Sequence, residues 1–317
     1  PQTAWIEEQI STADLFSISG QRVSPSFGLT KLIWLRENRP QVFMTMRKWL
    51  PLPAFIHYRL TGEACVDFTI ASRSLLFDQS SRQWSPRLTA MAGITSAQLP
   101  ELFPGSVATG RLSAPAALAC GLPLGVLCAP GSHDHLCAAL TAGAFRPGSV
   151  VDSTGTAQAV VQVLPAFLAD PRLADHGYAC YAHVLPDQYV LKAGLKAAGG
   201  AVEWLARLLS GLGRDPDYSA LESAARSGLG KHSGPLWLPH LLESGSPESD
   251  RASRAALVGM RIGHDAGDLY RALLEALAFW LRHNMEVMAG FAGPAVGKIG
   301  LIGGVTRIRL LSELKAH

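Results

Sequence analysis

Gly131-Ser132-His133-Asp134-His135, an apolar helical segment, and then Val151-Asp152-Ser153-Thr154-Gly155-Thr156 form the stretch on which the reading of this chain turns. Asp134 follows an apolar strand, expected over Val126 to Ala129 and buried, and stands at the start of a helix. Such a strand delivers the loop it feeds to one end of a sheet, where ligands bind in open α/β folds. A second apolar strand then runs into a turn of Ser, Thr and Gly. That turn offers backbone N–H groups and hydroxyls, the equipment that holds a phosphate. Asp134 offers a base. A base and a phosphate cradle in one stretch point to phosphoryl transfer to a hydroxyl.

Working outward, further segments take up the same theme. Asp67-Phe68-Thr69-Ile70-Ala71-Ser72-Arg73-Ser74-Leu75-Leu76-Phe77 lies upstream, with Lys31-Leu32-Ile33-Trp34 before it. Gly199-Gly200 opens an amphipathic helix, and a strand over Lys298 to Ile302 ends in Gly303-Gly304. Together with the central stretch, these segments resemble the FGGY carbohydrate kinases, ATP-dependent sugar and polyol kinases of the actin and hexokinase superfamily. The resemblance runs through nearly the whole chain, in the family's order. It implies an α/β fold of two actin/hexokinase-like (ribonuclease H-like) domains with a cleft between them. Residues 1–147 would be the later part of the sugar-binding domain and residues 148–317 the nucleotide-binding domain, with the boundary at Arg146-Pro147-Gly148.

The resemblance also implies roles. Asp134 would be the general base, a role compatible with capping its helix. His135 would contact substrate. Asp67 and Arg73 would lie along the sugar cleft, or else form a structural ion pair with each other. Thr154, Gly155 and Thr156 would take the γ-phosphate through N–H and hydroxyl contacts. Gly199 and Gly200 would let the backbone approach the nucleotide, or else form a plain turn and cap. Gly303 and Gly304 would pack against adenine. ATP and Mg²⁺ are the expected cofactors, with Mg²⁺ bridging the ATP phosphates. No metal-ligand set is expected from the protein: His133 and His135, two apart, point to opposite sides of a helix start. The expected substrate is a small-molecule sugar or polyol, a ketose such as a pentulose being favoured, and the expected assembly a homodimer. The family's N-terminal Asp-Gly-Gly-Thr phosphate hairpin has no counterpart here, and family members continue past His317. The chain is therefore expected to be an excerpt with both domains incomplete. A non-catalytic module that keeps a sugar or nucleotide site is the alternative, and an acid kinase or ATPase of the same superfamily a more distant one.

Composition agrees with a globular protein. Apolar residues make up 48% and charged residues 17%, which supplies a large core. The net charge of +3 is dispersed, so no basic run points to nucleic acid. The five cysteines include no CxxC pair and suit free thiols in a cytoplasmic setting. No apolar run reaches the roughly 18 residues of a membrane span. One amphipathic helix is expected over Thr3 to Phe16, and a linker turn over Pro100 to Pro104. Lys31 reads as a surface charge and Trp34 as a core aromatic. A hairpin is expected over Ser149 to Val163, and a long helix, apolar on nearly every side, over Asp268 to Met288.

Overall fold

The structure, a computed structural model, describes residues 1–211, 213–230, 234–295 and 297–317. The chain forms two compact units. One comprises Pro1–Leu140, Leu164–Ala174 and Ala179–Val190; the other comprises Thr141–Val163, Asp175–Tyr178 and Leu191–His317.

In the first unit, two helices, Gln2–Gln9 and Thr12–Ser19, replace the single helix expected over Thr3 to Phe16. Ser11 causes the break: its hydroxyl accepts the Asp14 N–H at 3.0 Å, which starts a new helix. Ile6, Ile10 and Leu15 are buried with Leu29, Leu32 and Ile33 of helix Gly28–Asn38. On that helix Lys31 is exposed, as expected of a surface charge, whereas Trp34 is 46% exposed and not a core aromatic. The Pro100 to Pro104 segment is not a plain turn. Glu101–Phe103 is a strand that pairs in parallel with Cys65–Asp67, with Leu102 opposite Val66. The flanking prolines sit outside the ladder, where their missing N–H costs nothing. The strand before Gly131 shrinks to Leu127–Cys128 and pairs with Gly110–Arg111. Leu127 is 61% exposed, so this is a surface ribbon and not the buried strand that apolarity alone suggested.

The second unit is built on the expected hairpin. Val150–Thr154 and Gln158–Leu164 pair antiparallel, from Val150 opposite Gln162 to Thr154 opposite Gln158. All of Gln158–Leu164 is buried, as befits a strand covered on both faces. Ile299–Ile302 pairs in parallel with Val150–Ser153 and brings Leu301 beside Asp152. Helices Gly199–Ser210, Tyr218–Ser227 and Arg309–Ala316 belong to the same unit, as does the 27-residue helix Ala266–Ala292. Reciprocal hydrogen bonds between Asp265 and Asp268 cap this long helix. It buries Leu273, Leu277 and Leu281 but leaves Phe279 59% exposed, so one face stays open despite its apolar composition. Among the described residues no helix is long and apolar enough to cross a membrane.

Candidate active site

Asp134 is the first residue of helix Asp134–Thr141 in the first unit. Its side chain is 98% exposed, which leaves the carboxylate open to a ligand. Oδ1 accepts the His135 N–H at 2.7 Å and lies 3.7 Å from His133 Nε2. The His133 and His135 rings stand 6.2 Å apart beside it. The loop that carries Asp134 is tied down from below. The His133 N–H donates to Thr69 Oγ1 at 2.8 Å, and Thr69 Oγ1 donates to Asp67 Oδ2 at 2.6 Å. Asp67 also accepts the N–H groups of Thr69 and Ile70, both at 3.0 Å, and thereby caps helix Phe68–Ser72. The Ser132 hydroxyl bonds the same carboxyl. Burial pushes the Asp67 carboxyl above its ordinary value, against the opposing pull of these hydrogen bonds. Cys137, one turn along the helix from Asp134, has its thiol pushed up by burial first and then by the charges of Asp67 and Asp134.

Asp67 is thus a buried anchor under the loop that carries Asp134. It is not the partner of Arg73. The Arg73 guanidinium donates to Gln21 Oε1 at 2.9 Å and stacks over the Phe27 ring, 4.5 Å from its centroid.

In the second unit the Ser-Thr-Gly-Thr turn is held from behind. Thr154 is 2% exposed, and its hydroxyl lies 3.3 Å from Asp152 Oδ1 and 2.9 Å from Lys315 Nζ. That hydroxyl is engaged internally, in contrast to the phosphate contact expected of it. The Gly155 N–H donates to Ala157 O within the turn. The carbonyls of Gly155 and Thr156 accept the N–H groups of Ala198, Gly199 and Gly200, the opening donors of helix Gly199–Ser210. The Gly199-Gly200 pair therefore grips the turn itself. A Cβ on Gly199 would stand 2.2 Å from Gly155 O, so only glycine permits the approach. Likewise a Cβ on Gly303, whose φ is 103°, would stand 2.2 Å from Thr154 O.

A cavity of about 650 Å³ lies beside the turn. Gly155, Thr156, Gly199, Gly200 and Gly304 line it together with Tyr218, Glu222 and Arg309. A larger cavity of about 1220 Å³ lies in the first unit among Arg47, Tyr58, Trp84 and Glu101. None of the sequence-predicted site residues lines it, whereas Gly155, Thr156, Gly199, Gly200 and Gly304 line the smaller one.

Thus Asp134, His135 and Asp67 gather in one unit, and Thr154 to Thr156 with the two glycine pairs gather in the other. Ser132, Thr69 and Lys315 were missed by sequence reasoning. Ser132 and Thr69 sit inside the motifs already singled out, and their hydroxyls are the signal that could have found them. Lys315 lies 163 residues from Asp152, and nothing local marks it.

Residues 2–141 match the sequence model of the FGGY family of carbohydrate kinases, N-terminal domain, and residues 152–317 match that of the C-terminal domain. The chain is similar to the xylulose kinase of Escherichia coli strain K12, at 28% identity over 94% of this chain and 60% of the relative. It is similar to the L-fuculokinase of the same strain, at 29% identity over 98% of this chain and 64% of the relative. Among solved structures, the xylulose kinase of Rhodospirillum rubrum superposes with a TM-score of 0.90 at 28% identity, over 99% of this chain and 62% of that one. The chain spans about 60% of the length of the xylulose kinases it matches.

Proposed function

Because the chain belongs to the FGGY family of carbohydrate kinases, we propose that it contributes the general base and a phosphate-binding turn to the ATP-dependent phosphorylation of a sugar or polyol hydroxyl. The names of the relatives, xylulose kinase and L-fuculokinase, favour a ketose as substrate. The observation that carries the reading is Asp134: an exposed carboxylate, held by the His135 N–H, on a loop anchored to Asp67 through Ser132 and Thr69.

Bound ATP supplies the phosphoryl group, and the chain's residues do the rest. Asp134 takes the proton of the attacking hydroxyl as the new O–P bond forms and the bond to the departing diphosphate breaks. His135, beside it, contacts the sugar. Gly155 and Thr156 receive the terminal phosphates in the glycine-lined cavity, and Gly303 and Gly304 meet adenine. Open space supports the nucleotide reading: beyond the chain neighbours, nothing lies within 4 Å of a Cβ built on Gly304, and only Ala157 O, at 4.0 Å, comes near one on Gly155. The fit to a protein-held Mg²⁺ is poor. Among the described residues no three His, Cys, Asp or Glu side chains come together, and Asp152, the acid of the turn, is paired with Lys315. A role for Mg²⁺ therefore rests on the nucleotide's own phosphates. All five cysteines are free thiols, which supports a cytoplasmic setting.

A coupled assay of ADP release tests the proposal, with ATP, Mg²⁺ and a panel of ketoses and polyols, on the complete gene product that carries this chain. Turnover with a ketose is expected. Nucleotide binding without turnover on any member of the panel would replace the kinase with a binding module.

A further inference from the structure

Behind the phosphate turn lies a buried ion pair that the transfer itself does not use. Lys315, on helix Arg309–Ala316, places Nζ 2.6 Å from Asp152 Oδ2 and 2.9 Å from Thr154 Oγ1. The Lys315 side chain is 4% exposed and that of Asp152 is 0% exposed. Gln158 Nε2 donates to the other oxygen of Asp152 at 3.0 Å, and the Thr154 hydroxyl approaches that oxygen at 3.3 Å.

A buried ammonium–carboxylate pair is an inefficient source of stability, because desolvation offsets most of its Coulomb gain, and two apolar residues of similar volume commonly serve as well. What such a pair does give is direction. Here it joins the end of strand Val150–Thr154 to the helix at the far end of the chain. The same strand end is already crowded against its neighbours. Leu301 and Ile302 are in register with Asp152 and Ser153, and the Thr154 carbonyl fills the space where Gly303 lacks a Cβ. Gly155 and Thr156 project from this block into the glycine-lined cavity.

We infer that Lys315 is a positioning residue for phosphate binding. Acting through Asp152 and Thr154, it holds the Gly155–Thr156 turn in the shape that receives the phosphates, and it does not touch the nucleotide. The inference rests on the nucleotide reading of the cavity given above. It also explains why Thr154, of the right type for a phosphate ligand, turns its hydroxyl inward.

The test uses the complete gene product, with N-methylanthraniloyl-ATP as the probe and thermal denaturation run alongside. Lys315→Met should lower the melting temperature, because it leaves a carboxylate buried without its counter-ion. The double variant Lys315→Met/Asp152→Leu should recover that temperature yet bind the probe about tenfold or more weakly than wild type, a loss of about 1.4 kcal/mol. Affinity of the double variant within about twofold of wild type would make the pair purely structural and overturn the inference. Should the double variant not fold, Lys315→Met assayed well below its melting temperature decides the matter. The KM for ATP should rise while the KM for the sugar stays put, and equal changes in both, or none, would overturn the inference. If wild-type protein does not bind the probe at all, the nucleotide reading fails first and takes this inference with it.

Discussion

Replacing Gly199 by alanine asks whether the glycine pair grips the Ser153–Thr156 turn as closely as the structure shows. An alanine Cβ at 199 would stand 2.2 Å from Gly155 O and 2.7 Å from Val305 Cγ2. The first is a backbone atom that cannot step aside without moving the turn. At Gly200 the same change meets only Thr156 Cγ2 at 3.2 Å and Thr156 O at 3.4 Å, and an exposed methyl can give. Both residues open helix Gly199–Ser210, where alanine gains up to about 1 kcal/mol over glycine. Overpacking costs about 1–3 kcal/mol, so Gly199→Ala should lose about 1–2 kcal/mol net, while Gly200→Ala should be neutral or slightly stabilising. For a chain of 317 residues the loss corresponds to a fall of about 1.5–3 °C in melting temperature. Because the displaced group is the turn carbonyl, nucleotide affinity should fall in Gly199→Ala and hold in Gly200→Ala. Urea denaturation with matched m-values, and titration with a fluorescent nucleotide, read the two effects separately. If the two variants are indistinguishable in both, the close approach of Gly199 to Gly155 is not what shapes the turn.

Two further outcomes follow from the anchored loop of the first unit. The Asp67 carboxyl is held above its ordinary value of 3.8 chiefly by burial, so the folded state binds its proton more tightly than the unfolded state does. Stability should therefore fall as pH rises from 3.8 through the folded-state value. Asp67→Asn should flatten that fall in urea midpoints measured from pH 4 to 7, and an unchanged slope would remove Asp67 as its source. The Cys137 thiol is raised by burial and then by the charges of Asp67 and Asp134. Asp134→Asn should thus speed alkylation of Cys137 by N-ethylmaleimide at pH 8, followed peptide by peptide by mass spectrometry. An unchanged rate would show that Asp134 does not face this helix turn.

The features legible in the sequence are those written locally. The hairpin of the second unit is readable because two apolar segments and a Ser-Thr-Gly-Thr tip lie in one run of residues. The Gly199-Gly200 pair is readable as a place of close approach, although the backbone that Gly199 approaches, at Gly155, appears only in three dimensions. The break at Ser11 was signalled by Ser and Asp at capping spacing, which the apolar pattern on either side obscured. The strand Glu101–Phe103 was not legible, because three residues become a strand only through the partner at Cys65–Asp67. Arg73 turns to Gln21 and Phe27 and not to the acid nearest in its own motif. Proximity in sequence does not choose among partners once Asp67 is satisfied by Thr69, Ile70 and Ser132. Lys315 is the extreme case, a buried charge whose meaning lies entirely in residues distant along the chain.

The central claim is that Asp134 is the base of a phosphoryl transfer from ATP to a sugar hydroxyl. The most direct measurement compares wild type and Asp134→Ala in the complete gene product, recording ketose phosphorylation and ATP binding on the same preparations. Loss of positioned proton transfer should lower turnover by about 100-fold or more while ATP binding is retained. Turnover of the variant within about twofold of wild type would reduce Asp134 to a helix-capping residue and contradict the account.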